Sequence, residues 1–156
     1  YTDKSVSTDN TYTYTVRAYK DKTWSSYDTK GVTISLDYKK AVLDLVNAER
    51  VKAGLEPLEY YSEGQKAGDI RALEIKESFS HTRPDGTLCF TALKEQGIEY
   101  RAAGENIAIG FYTPESVMNA WMNSEGHRAN ILTPGFTHLI VGYDEESRAW
   151  VQLFLG

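Results

Sequence analysis

The 156-residue chain carries a single cysteine, Cys89, so it closes no internal disulfide and a disulfide-built scaffold is excluded. That scarcity does not settle the compartment, because secreted bacterial proteins often carry no crosslink. Long apolar runs are also missing: the stretches around Leu139–Val141 and Leu153–Leu155 fall far short of the roughly 20 residues that span a bilayer. Basic runs stop at Lys39-Lys40. A net charge of −5 and a pI near 5.2 argue against a nucleic-acid partner, since phosphates are held by clustered Lys and Arg. No H-E-x-x-H helix, G-x-S-x-G elbow or glycine-rich phosphate loop occurs, which removes the metalloprotease, serine-hydrolase and nucleotide sites those motifs mark. Nor does any segment resemble a signal peptide. The chain starts within a strand-like pattern, as a fragment of a longer precursor would.

What is present divides in two. Residues 1–38 contain no Glu, no His and one Leu, yet hold eight of the fourteen Thr and six of the eleven Tyr, while all thirteen Glu and all three His follow. In the first part, residues 11–19 alternate with period 2, placing Tyr12, Tyr14, Val16 and Ala18 on one face of a strand. A turn is expected at Lys20-Asp21-Lys22, with further extended runs over Thr23–Tyr27 and Val32–Leu36. The series Tyr1–Val6, Tyr12–Tyr19 and Ser25–Tyr27 resembles the last strands of a fibronectin type III or immunoglobulin-like sandwich, so residues 1–37 are expected to be a partial sandwich. A β-hairpin extension native to the following domain is the alternative. Half a sandwich leaves an inner face and an edge without partners. The strands are therefore expected to pack on the next domain or on a second copy, giving a homodimer.

From Asp37 the period becomes 3.6. Ala41, Val42, Leu45, Val46 and Val51 predict a helix over 38–53, capped by Gly54 and stopped by Pro57. Ser62 and Gln65 have capping-box spacing for a second helix reaching Lys76, with Ala67, Ile70 and Leu73 inward. Pro84-Asp85-Gly86 reads as a turn. Thr87–Gln96 reads as a third helix, with Cys89 a buried small hydrophobe, and Ile98–Gly110 as short extended or irregular chain. Thr113-Pro114-Glu115 opens a fourth helix, with Val117, Ala120 and Trp121 buried. After a break at Gly126, strands Thr137–Tyr143 and Arg148–Phe154 finish the chain. Helices followed by an antiparallel pair imply an α+β fold with helices on a central antiparallel sheet.

The chemistry-bearing residues outside these elements are His81, Glu105, Asn106 and the run Ser124-Glu125-Gly126-His127, all placed on loops. Two imidazoles and a carboxylate are competent Zn²⁺ ligands, although spacing alone does not bring them together. Beside this stands a resemblance. Val46-Asn47-Ala48-Glu49-Arg50, Gly54-Leu55-Glu56-Pro57-Leu58, Phe79-Ser80-His81, Ala103-Gly104-Glu105-Asn106-Ile107-Ala108, Trp121–Leu132 and Val141-Gly142-Tyr143 resemble the CAP superfamily, in order over residues 39–156. That superfamily takes in cysteine-rich secretory proteins, antigen 5 and plant pathogenesis-related proteins, and the chain is similar to its bacterial SCP-like branch. The resemblance implies an α-β-α sandwich, an extracellular setting, and a cleft where two His and two acidic residues can hold a divalent ion. His81, Glu105 and His127 match three of those positions. The second acid falls at Ser124, with Glu125 beside it, which weakens the expected metal site. His138 lies off the motif and reads as a strand or surface residue. Asn47, Arg50, Asn106 and Asn130 are expected to satisfy backbone groups.

Two functions follow as expectations. One is a secreted or surface-displayed binding module for a cell-surface, lipid or protein ligand, with a divalent ion, Zn²⁺ foremost, in the cleft. The other is a metal-assisted hydrolase of peptides, glycans or esters, with Glu105 as general base on a bound water. Carriage of an apolar ligand between helices is a third possibility that the superfamily suggests, but no exposed apolar stripe announces it.

Overall fold

The change of period near Asp37 is also where the backbone divides. The computed structural model describes residue 7 and residues 10–26, 32–35 and 37–156, and its compact units are residues 1–37 and 38–156. In the first unit, β1 (Thr11–Tyr14) pairs with β4 (Val32–Ser35), and β2 (Tyr19–Lys20) pairs with β3 (Thr23–Trp24), both antiparallel. Asp21 and Lys22 join β2 to β3 with φ of 51° and 64°, the left-handed pair that a two-residue hairpin requires. The expected single strand over 11–19 is therefore two, because its ends serve different partners. Its inner-face assignment fails at Val16, which is 88% exposed, while Tyr12 and Tyr14 are half-buried as expected. The expected strand Tyr1–Val6, and Tyr27 and Leu36, lie outside the described residues.

The second unit is built on a sheet in the order β5-β7-β8-β6, comprising β5 (Glu59–Tyr60), β6 (Ala103–Ile109), β7 (His138–Asp144) and β8 (Ala149–Leu155). β7 and β6 flank β8 antiparallel, whereas β5 runs parallel to β7, so the sheet is mixed. Alternation along β7 and β8 sends Leu139, Val141, Trp150 and Phe154 to one core, with Val42, Val46, Val117, Trp121 and Ile131. Those partners come from α1 (Tyr38–Lys52), α4 (Pro114–Met122) and α5 (Glu125–Ile131). Ile140, Val151 and Leu153 face a second core with Ala67, Ala72, Ile75 and Leu93, from α2 (Gln65–Glu77) and α3 (Thr91–Lys94). Helices on both faces of one sheet make the expected α-β-α arrangement.

Local chemistry explains the departures. The inward face of α1 carries Val42, Val46 and Arg50, leaving Val51 59% exposed. Arg50 spans two elements, donating to the carbonyls of Glu56, Ile131, Thr133 and Phe136 at 2.8–3.2 Å. Asn47 makes a reciprocal pair with Leu58, at 2.9 Å from Nδ2 to its carbonyl and 2.7 Å from its amide to Oδ1. Gln65 does not close a capping box with Ser62: its Nε2 donates to Asp69 and to the Val141 carbonyl, and residues 62–64 form a separate 3-10 turn. The buried face of α2 is Ala67, Gly68, Arg71, Ala72 and Ile75, with Leu73 exposed.

The third helix shrinks to Thr91–Lys94 because Thr87–Cys89 pairs back across its own loop, through Arg83 N to Thr87 O (2.8 Å) and Cys89 N to His81 O (3.0 Å). Gly126 lies inside α5 rather than breaking the chain. Residues 103–109, within the stretch expected as short extended or irregular chain, are a full sheet strand. Finally, α2 meets β7 backbone to backbone: a Cβ on Gly142 would lie 2.0 Å from the Gly68 carbonyl oxygen. Only glycine fits that contact.

Candidate functional site

β6 is an edge strand, and helix side chains meet its carbonyls from outside: Asn130 Nδ2 donates to Glu105 O (3.2 Å) and Trp121 Nε1 approaches Ile107 O (3.4 Å). This strand carries Glu105 and Asn106, so both sit on the sheet rather than on a loop. Successive residues of a strand face opposite ways, and the two serve different sides. Asn106, fully buried, donates to the His127 carbonyl (3.0 Å) and to Gln152 Oε1 (2.9 Å), and accepts from Asn130 Nδ2 (2.8 Å). It fixes the backbone that carries His127. Nε2 of Gln152 in this network finds no partner among the described residues.

Glu105 faces the other way, its side chain 1% exposed against Arg71 at 0%. Arg71 Nε donates to Oε2 at 2.8 Å and Nη2 to Oε1 at 3.2 Å, a forked pair. His81, whose side chain is 58% exposed, places Nδ1 2.7 Å from Oε1. Held by a guanidinium, the carboxylate is acceptor-only, which assigns the imidazole proton to Nδ1 and leaves Nε2 as the free acceptor. Burial pushes the Cys89 thiol up to about 12, with Glu105 adding to it through its charge and a side-chain hydrogen bond, so the thiol stays protonated beside that carboxylate.

The same Arg71 donates from Nη2 to the Ser80 carbonyl (2.9 Å), one residue before His81, and from Nη1 to Glu74 (2.6 Å). Arg83 then bonds Glu74 through Nε (2.9 Å) and Glu95 through Nη1 (2.6 Å), extending an alternating chain of charges outward. Burial opposes the charges of Arg71 and Glu74, but their hydrogen bonds and mutual fields prevail: Arg71 is raised and Glu74 lowered. His127, half-buried on α5, has its pKa lowered by desolvation of the charged form and then by repulsion between the two imidazoles when both are protonated. Ser124 is the half-buried N-cap residue of α5, its side chain making no cap bond, and Glu125 is exposed in the first turn, where a helix dipole favours an acid.

Thus the structure joins His81 to Glu105 directly and ties His127 to the same strand through Asn106. Among the described residues, no group of three or more His, Cys, Asp and Glu is placed to hold a metal ion. Both oxygens of Glu105 are engaged, by Arg71 and by His81. Arg71, Glu74 and Arg83 were not legible as site residues from motif spacing. Their signal was the position of Arg71 four residues after Ala67 and four before Ile75, on the inward stripe of α2, where a charge requires a partner. His138, on β7, meets Tyr61 edge-on at 5.3 Å, as a strand residue would. A depression of about 630 Å³ is lined by Tyr61, Tyr100, Arg101 and His138 and by none of His81, Glu105 and His127.

The model of the CAP family, the cysteine-rich secretory proteins, matches residues 43–154. The chain belongs to this family. The chain is 48% identical over 121 residues to the uncharacterized protein YkwD of Bacillus subtilis, covering 76% of this chain and 47% of that protein. It is 33% identical over 132 residues to the uncharacterized membrane protein YlbC of the same organism, covering 83% and 36%. The chain therefore spans under half the length of both relatives. Among solved structures, an extracellular SCP-domain protein of Bacillus anthracis superposes with a TM-score of 0.71 at 30% identity, covering 76% of this chain and 40% of that one. A cysteine-rich secretory protein of Staphylococcus aureus shares the fold with a TM-score of 0.67 at 18% identity, over 84% and 42%. No helix among the described residues is long and apolar enough to cross a membrane.

Proposed function

We propose that this CAP domain is a secreted or cell-surface binding module that engages a cell-surface, lipid or protein ligand through the His81–His127 cleft. One observation carries the reading: an exposed imidazole, His81, is tethered through Nδ1 to a buried carboxylate and so presents Nε2 as an acceptor of fixed tautomer. The extracellular SCP-domain protein of Bacillus anthracis supports the setting. A divalent ion such as Zn²⁺ in this cleft would rest on the two imidazoles, with Glu105 orienting His81 from behind as carboxylates behind metal-bound histidines do. Two nitrogens fall short of the three protein ligands of a catalytic zinc site, so binding is expected to be weak.

Calorimetric titration with Zn²⁺ of the wild type and of the double variant His81→Ala/His127→Ala tests the shared cleft. The reading expects weak binding in the first and none in the second, and equal binding in both defeats it. A hydrolase is the second reading, favoured by the same tether, since an oriented imidazole can take a proton from water. It requires turnover of a peptide, glycan or ester that His81→Ala abolishes. The partial sandwich and the homodimer through residues 1–37 belong to the same proposal, and light scattering that finds only monomer removes the dimer.

A further inference from the structure

We propose that Arg71 is the built-in cation of the cleft: its guanidinium, rather than a divalent ion, holds Glu105, making Glu105 the positioning residue of His81 and not a metal ligand. This inference rests on the cleft reading above and adds which cation the acidic residue serves. A carboxylate offers about four lone-pair directions. Arg71 occupies two, one on each oxygen, and His81 Nδ1 a third, on Oε1. Three of the four directions, on both oxygens, are thus taken by protein donors.

Arg71 itself is fixed on every side. Its remaining contacts are the Ser80 carbonyl and Glu74, and Glu74 is held in turn by Arg83. An ion entering at Glu105 would have to expel a guanidinium that has no water to retreat into, its side chain being 0% exposed. The Ser80 contact gives Arg71 a second task. It anchors the backbone one residue before His81, so one side chain sets both the carboxylate behind the imidazole and the segment that carries it.

The ¹⁵N–¹H resonance of the Arg71 Nε–H tests this in the wild-type protein, with Zn²⁺ alone as the probe. A slowly exchanging signal that persists unshifted through a Zn²⁺ titration is expected, and its loss or displacement on adding Zn²⁺ overturns the proposal. Calorimetry supplies the second arm. Glu105→Gln should leave the Zn²⁺ affinity within about threefold of wild type, whereas Arg71→Met, which frees the carboxylate, should raise it by about tenfold or more in a His81-dependent way. Arg71→Lys, charged but unable to fork, should fall between. A purely structural arginine would give no gain on removal. A tenfold weakening by Glu105→Gln with the fold intact would show that Glu105 is a ligand after all. Should Arg71→Met not fold, the wild-type resonance decides. Should the wild type bind no Zn²⁺, the ion-binding part of the function fails, while slow exchange of the Arg71 Nε–H still upholds the pairing and fast exchange overturns it.

Discussion

At the scale of single residues, the Glu105–Arg71 pair behind His81 depends on charges that cannot lose their partners. Arg71→Ala leaves Glu105 buried without its guanidinium, and removing one member of a buried pair costs about 3–5 kcal/mol. Urea denaturation should show that loss as a lower midpoint, whereas an exposed pair such as Lys40–Asp44 contributes about 0.5 kcal/mol or less. Acidity acts through different groups. Because the folded state lowers the His127 pKa, the unfolded chain binds the proton more readily. Its contribution is complete above the ordinary imidazole value of about 6.5 and is lost as pH falls from there through the lowered folded value. Glu74, also lowered, acts in the same direction in the carboxylate range, its contribution being lost as pH falls below the ordinary value through the depressed one. Thermal midpoints should decline on acidification in two limbs, and His127→Gln should flatten the upper one alone.

At the scale of elements, legibility in the sequence followed how local the determinants are. The N-terminus of α4 was readable because its signal lies within four residues: Thr113 and Ser116 cap one another reciprocally, each amide to the other's hydroxyl at 3.2 Å, with Pro114 in the first turn. Thr113→Ala should cost about 1 kcal/mol, measurable as a shift in the denaturation midpoint with an unchanged slope. Three other elements depended on partners distant in the chain. Residues 103–109 became a strand because β8, some forty residues on, supplies a complete ladder from Ala103–Leu155 to Ile109–Ala149. Gln65 left its cap for a carbonyl of β7, and Thr87–Leu88 left a helix for the loop of His81. The site divides along the same line. His81, Glu105 and His127 stood out as motif residues, but the guanidinium behind Glu105 reaches it across 34 positions, which no local pattern encodes.

At the scale of the whole molecule, the buried core residues described in the α-β-α unit run from Val42 to Leu155, and Tyr38 stacks on Trp150 at 5.8 Å. Residues 38–156 expressed alone should unfold in one cooperative transition and keep the Zn²⁺ response of the full chain; a non-cooperative melt would show that the N-terminal strands complete the core. The contact between Gly68 and Gly142 has a bearing on the cleft as well. With no side chain between helix and strand, that contact acts as a mechanical stop that sets the standoff of α2 from the sheet, and Arg71 lies three residues, nearly one turn, past it. A single methyl there would work as a shim, tilting the helix and swinging the guanidinium off the carboxylate it grips. The alignment of the exposed imidazole is thus a matter of mechanical tolerance, set by two residues that have no side chain.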